Sequence, residues 1–522
     1  MFQNFVDFVG VRLLRSGKAF SQYYVVPDKS FDLDALGLAA AENEGDEPPP
    51  PAAANDDRDE WEDLPEPAPT TPSPPDEGRP ADHTYESDSP LSSLPSSPDT
   101  SRPPSPTRPA PASGLDHAIS GCGRKRRRKE HGRKNRIKQR KTEPRTEPSY
   151  ERQRRHAQII VRSVPKHVEF NLRKAPATKT GFRARYEGET RRTFTRQELE
   201  EQGFVYFPWD GRETVPIVTP NIDGKETSNV VIACLAGRPS DGAKSGRTPL
   251  EADWTTATSS LADAIERQRS RTTFGKAARD HRRGMFGAQA QGISHGGGQL
   301  RPANLKHSKT MTKVLLFLVA LPSMIRAAHF SSSVYGTWAP LIHALSGDTL
   351  DALLASDPDL KRNFEASVWA CITINFGPRT VTFPHRDYAN LAFGWCAITA
   401  LGRFDPDKGG ELILWDCKMI IRFPPGSTIL IPSAILKHSN TRIALSERRY
   451  SVTQYTAGAI FRWVEHGFQL DKAYYASLSK AEAAKDAKTA AGRWRRGRAM
   501  FSKFDDLVEA AEAKLKGKSA SK

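Results

Sequence analysis

The feature that most limits what this chain can fold into is a succession of short apolar segments between residues 368 and 455. Val368 to Phe376 is a strong strand pattern. Gly409-Gly410 opens a tight turn before the apolar run Leu412 to Trp415. Lys418 to Phe423 is a further strand pattern, Pro424 to Ser427 a turn, and Thr428 to Ile431 another strand. Arg449 to Tyr455 then alternates with period two. Short strands at such spacing, punctuated by Gly and Pro, fold as a sandwich or jelly roll.

Three polar residues sit at marked places in this framework. His385 and Asp387 are two apart in a run that reads as a strand. Side chains at i and i+2 share a face, so an imidazole and a carboxylate converge. His438 follows the strand ending at Ile431. Two histidines and one carboxylate on one face of a metal is the donor set of non-haem Fe(II) oxygenases. Zinc accepts the same donors. The strand after His438 favours iron, because Arg449, Ser451, Thr453 and Tyr455 share one face and a guanidinium grips a carboxylate bidentately. Arg448 and Arg449 are adjacent, so only one faces inward, and Arg449 has the phase of Ser451. Asn375, on the strand before His385, is a further candidate for binding at this site.

These residues, with His385 to Trp395, Gly426 to Ser433 and Phe461 to Trp463, resemble the TET/JBP family of 2-oxoglutarate/Fe(II) dioxygenases, in its fungal, transposon-associated branch. The resemblance runs from Ile159 to Phe468. It implies an α+β fold, a double-stranded β-helix (jelly-roll) core with flanking helices. It implies Fe(II) on His385, Asp387 and His438, with 2-oxoglutarate and O2 completing the metal and Arg449 and Ser451 holding the cosubstrate. The substrate implied is methylated cytosine in DNA, with Asn390 touching the flipped base. The family's base-contacting histidine, eight residues after the arginine, is replaced by Ala457, which leaves Tyr455 as the stand-in.

Composition divides the rest of the chain. Residues 1–38 form a short N-terminal segment without an assigned role. Residues 39–156 begin rich in Pro, Ser, Asp and Glu, which predicts disorder. Ser89-Pro90, Ser97-Pro98 and Ser105-Pro106 lie here as kinase-site patterns. The same segment ends in a basic tract, Arg124 to Lys141. That tract contributes much of the formal charge of +16 and predicts nuclear import or contact with nucleic acid. Residues 157–468 are the predicted dioxygenase domain. It includes strands at Ile159–Val161, Phe204–Phe207 and Asn229–Leu235, a capping box at Thr195/Glu198, and a helix over Leu261–Arg267. Gly292 to Gln299 lacks the Gly-Lys-Ser/Thr ending of a phosphate loop and reads as a tight turn. Residues 469–522 are a helical basic tail with a knot at Arg493 to Arg498.

The 5 cysteines include no Cys-x-x-Cys pair, which excludes a zinc ribbon and fits a reducing compartment. No secretory signal is visible. Val314 to Leu321 is too short to span a bilayer and reads as a buried helix, so no membrane partner is expected. The expected protein is a nuclear dioxygenase acting on methylcytosine in DNA. The alternatives are a related oxygenase on another methylated base, RNA or protein, and a non-catalytic DNA-binding relic.

Overall fold

A computed structural model of the 522-residue chain describes residues 12–13, 19–20, 150–223, 226–239 and 253–517. The predicted disordered stretch up to residue 149, its Ser-Pro pairs and the basic tract lie outside the described residues.

In chain order the first elements are β1 (Arg12–Leu13), β2 (Ala19–Phe20), α1 (Tyr150–Arg162), β3 (Lys166–His167), α2 (Arg196–Glu200), β4 (Val205–Phe207), β5 (Val215–Asp223) and β6 (Glu226–Gly237). Next come α3 (Trp254–Arg269), α4 (Lys276–Arg279), β7 (Gly287–Ser294), β8 (Ala303–Asn304), α5 (Lys309–Val319), α6 (Pro322–Trp338) and α7 (Pro340–Ser356). They are followed by β9 (Cys371–Gly377), β10 (Cys396–Arg403), β11 (Leu412–Leu414), β12 (Met419–Ile421), β13 (Thr428–Ile431), β14 (His438–Asn440) and β15 (Arg448–Tyr455). The last are α8 (Gly458–Glu465), α9 (Asp471–Ser477), α10 (Lys480–Ala499) and α11 (Phe504–Lys516).

The fold is α+β, with a two-stranded β1–β2 pair and two larger sheets. One has nine strands in the order β3-β5-β6-β13-β10-β15-β9-β7-β8, and the other four in the order β14-β11-β12-β4. Pairing is antiparallel except at β3–β5 and β4–β12. The two sheets share a core in which Leu412, Leu414, Met419 and Ile421 meet Ile429, Leu430 and Ala397. Ile413 and Ile420, on the opposite face of the small sheet, pack instead with Phe194, Leu199 and Phe204. That period-two division is what the pleat requires. On the large sheet, Tyr450 and Val452 of β15 and Ile372, Ile374 and Phe376 of β9 pack on α3 and α5. The opposite phase, Arg449 and Ser451, therefore faces away from those helices.

Local chemistry sets the helix boundaries. Thr195 and Glu198 form both halves of the capping box on α2. Pro322 and Pro340 start α6 and α7, where a missing N–H leaves no helical bond unmade. Among the described residues no single helix is long and apolar enough to cross a membrane, and α5 with α6 passes that test only as a pair bent by 66°.

Several expectations need correction. Ile159–Val161 is not a strand but part of α1, whose Ala157 and Ile160 face the core at helical spacing. Residues 150–156, assigned by composition to the disordered stretch, belong to the same helix. Val314–Leu321 is not wholly buried: Leu316 and Phe317 are exposed on α5. Gly292 and Ser294 are in β7, so the glycine-rich segment is partly strand. Gly292 has φ +125, and a Cβ there would lie 2.2 Å from the Ala370 carbonyl oxygen, which is why only glycine fits. The C-terminal basic knot is helix that docks on the core. Arg493 is buried against Glu465 and Phe182, and Gly497 lies against Phe393.

Candidate metal centre

His385 does not sit in a regular strand, as its neighbours' pattern predicted. Pro384 has no N–H to give a ladder. The backbone makes instead one isolated bridge, His385 N to His438 O at 3.0 Å and His438 N to His385 O at 2.9 Å. Asp387 N donates to Ser433 O at 2.9 Å. These bonds bring His385, Asp387 and His438 together, with their donor atoms all within 4.8 Å of one another. Both Nε2 atoms stand 3.9 Å from the Asp387 carboxylate, too far for a hydrogen bond. Each Nδ1 instead donates to a carbonyl two residues earlier, His385 to Phe383 at 2.7 Å and His438 to Leu436 at 2.9 Å. That fixes the tautomer and turns each Nε2 lone pair toward the shared space, as a metal ligand requires.

The electrostatics agree with a ligand set. Burial pushes His385 well below its ordinary pKa, with His438 adding to the shift and Asp387 opposing it. Burial lowers His438 as well, again against Asp387. Burial raises the Asp387 carboxyl, but His385, Arg283, His438 and Arg282 outweigh it and hold the group below the usual carboxylate range. Neutral imidazoles beside an ionised carboxylate are the forms that bind a divalent ion.

Arg449 is buried on β15 while Arg448 is exposed. Its Nη1 donates to Thr380 O at 2.6 Å, and its Nε is buried with no partner among the described residues. The guanidinium lies 5.6 Å from the Phe404 ring and 5.7 Å from the Phe423 ring. Burial depresses its pKa to about 10, with Glu411 opposing the shift. Glu411 itself is engaged by Arg196 and Thr441. A buried cation without a carboxylate contact is costly, and an entering anion would relieve it. Asn375 Nδ2 donates to Ser451 Oγ at 2.9 Å, so those two groups are joined to each other.

Asn390 is buried in the turn after Asp387, its N bonded to Asp387 O at 2.8 Å. Its Nδ2 donates to Ser433 Oγ at 3.1 Å, which leaves Oδ1 as the amide's acceptor. Ala457 forms an isolated bridge with Asn390. Tyr455 lines the same small cavity as Asn390, with Cys396 and Trp395.

Sequence reading missed two arginines here. Arg282 Nη2 lies 3.3 Å from Asp387 Oδ1, and its Nη1 donates to Arg386 O at 2.8 Å. Arg283 accepts a bond at its carbonyl from Phe383 N, and its charge acts on both Asp387 and Tyr455. Both belong to the turn between α4 and β7, a polar stretch without periodicity, and only tertiary structure brings it here.

No protein-family model matches the chain. No curated protein matches it. Solved structures that match include NgTET1 in complex with 5mC DNA, 13% identical with a TM-score of 0.29, covering 55% of this chain and 89% of that one. Another is an oxidoreductase of the 2OG-Fe(II) oxygenase family from Burkholderia pseudomallei, 16% identical with a TM-score of 0.24, covering 41% of this chain and 82% of that one.

Proposed function

We propose that this protein is an Fe(II)/2-oxoglutarate-dependent dioxygenase that oxidises the methyl group of methylated cytosine in DNA, on a double-stranded β-helix core. The observation that carries the reading is the buried His385–Asp387–His438 group, with both Nδ1 atoms tied to carbonyls and both Nε2 atoms turned to one space. Iron bound there with 2-oxoglutarate supplies the oxidising chemistry by activating O2. The residues of this chain supply placement. His385, Asp387 and His438 would hold the metal by three protein donors.

Arg449 provides the buried cation for the distal carboxylate of the cosubstrate, and its partnerless Nε is the donor that carboxylate would meet. Asn375 and Ser451, bonded to each other on neighbouring strands, are the further groups that would meet the cosubstrate. Asn390, oriented by Ser433, offers Oδ1 as an acceptor for the exocyclic amine of an extruded cytosine. Tyr455 lines the cavity beside it. A methyl group inside a duplex is beyond reach of a buried metal, so the base must be flipped or already unpaired. The basic tract, with the net charge of +16, provides the phosphate contacts that offset flipping and suits a nuclear protein.

The test is mass spectrometry of nucleosides after purified protein is incubated with methylated DNA, Fe(II), ascorbate and 2-oxoglutarate. Oxidised methylcytosine that requires 2-oxoglutarate is the expected product. Oxidation of a different base, or only of RNA, would redirect the substrate assignment. Absence of both base oxidation and 2-oxoglutarate turnover would leave the relic reading.

A further inference from the structure

The three donors of the metal centre come from two pieces of chain. Residues 385–387 carry two of them, and residue 438 carries the third. The His385–His438 bridge joins the pieces, with Asp387 N to Ser433 O at 2.9 Å and Asn440 N to Thr382 O at 3.2 Å on either side of it. A side-chain connection joins them as well. Arg386 stands between the first two ligands, and its guanidinium is turned to partners of its own. Its Nη1 and Nη2 donate to Asp416 Oδ2 at 2.9 Å and Oδ1 at 2.8 Å, a bidentate pair. Nη1 also donates to the Ile435 carbonyl. Asp416 belongs to the short turn that follows β11, and its Oδ2 accepts a bond from Lys437 N at 2.7 Å. Lys437 immediately precedes His438. One carboxylate therefore grips the residue between His385 and Asp387 and the backbone next to His438.

Burial makes the grip firm. The Arg386 side chain is 8% exposed and that of Asp416 23%, so water competes weakly for either. Glu187 closes the outer side, with Oε1 3.1 Å from Arg386 Nε and Oε2 3.8 Å from Lys437 Nζ. A fork that holds both oxygens of a carboxylate fixes angle as well as distance. The grip adds a side-chain anchor to the backbone bonds between the same two segments, and it alone ties Arg386 to the amide next to His438.

We propose that Asp416 is a positioning residue for the metal centre, setting the separation of His438 from His385 and Asp387 through Arg386 and the Lys437 amide. The proposal rests on the reading of the triad as a metal site. It touches neither metal nor substrate, so its effect is on metal affinity and ligand-field geometry.

Co(II) added anaerobically to the full-length protein tests this, with affinity read by calorimetry and geometry by the visible d–d bands. Asp416→Ala should weaken Co(II) binding about ten- to a hundredfold, the range for outer-shell partners of ligands, and should change the band pattern. Asp416→Asn keeps an acceptor for the Lys437 amide and should fall between Asp416→Ala and wild type. Glu465→Gln, which loosens the remote Arg493 pair, controls for a general loss of stability. Wild-type affinity and bands in Asp416→Ala would overturn the proposal, as would an equal loss of affinity in Glu465→Gln. Should His385→Ala bind Co(II) as wild type does, the metal reading itself falls, and the proposal with it.

Discussion

His385 and His438 each commit Nδ1 to a backbone carbonyl and keep Nε2 at 3.9 Å from the Asp387 carboxylate, too far for a hydrogen bond. Replacing any of the three residues with alanine removes one of three donors, and the remaining pair should hold iron poorly. Anaerobic Fe(II) titration of each variant is expected to show loss of binding, and unchanged binding in all three would remove the site. Arg449 and Arg448 make a second contrast. Arg449→Ala should raise the 2-oxoglutarate requirement by a factor matching about 2–5 kcal/mol, the cost of losing one partner of a buried charge pair. Arg448→Ala, at an exposed position, should change it little. Cosubstrate-dependent decarboxylation measures both, and the reverse order would assign the clamp to Arg448. The contrast between Arg449 and Arg448 was legible because period-two alternation at the start of β15 fixes which side chain turns inward. Arg282 and Arg283 were not, because they reach the centre from a segment whose local pattern says only that it is polar, and the Asp416 grip was not, because it joins residues 21 and 30 positions apart.

At the level of elements, β9, β12, β13 and β15 were legible because alternation, apolar content and Gly or Pro turns agree there. Ile159–Val161 shows the opposite case. Three β-branched residues favour a strand locally, yet the segment is helical because α1 buries Ala157 and Ile160 against α11. A titratable group sits in that docked helix. His156 Nε2 lies 3.1 Å from Ser333 Oγ, and its Nδ1 3.2 Å from Thr337 Oγ1. Burial lowers its pKa to about 4, with Arg152, Arg155 and Lys514 adding to the shift. The unfolded chain therefore binds the proton first as pH falls. Stability from this group is complete above about pH 6.5 and is lost progressively down to about pH 4. The loss is on the order of 3 kcal/mol for the whole interval. Thermal melts from pH 7 to pH 4 should fall less steeply in His156→Gln than in wild type. Parallel curves would show that the docked imidazole accepts the proton in place.

For the whole molecule the sequence divides at composition shifts, and helices lie on both sides of the predicted 157–468 domain. Helix α1 begins before it, and α10 and α11 lie beyond it as helices packed on the core. Low apolar content and many charges hid the latter, since Arg493 is buried by pairing with Glu465 and Ala511 is a small residue in the core. The basic tract at Arg124–Lys141 should act through phosphates. Its deletion is expected to weaken DNA binding similarly across sequences and to flatten the dependence on salt, which fluorescence anisotropy at several salt concentrations would reveal. An unchanged slope would leave the tract outside the binding surface.

The meeting of α1 with α11 has a consequence for biogenesis. The two helices lie some 340 positions apart in the chain, so the apolar stripe of the earlier one stays uncovered while the intervening sheets are being translated. Loop closure over such a separation is slow, and exposed apolar surface during that wait invites capture by chaperones or by other nascent chains. A ribosome-bound chain halted before Phe504 should be cut by protease within α1, and release of the remaining residues should protect the same bonds.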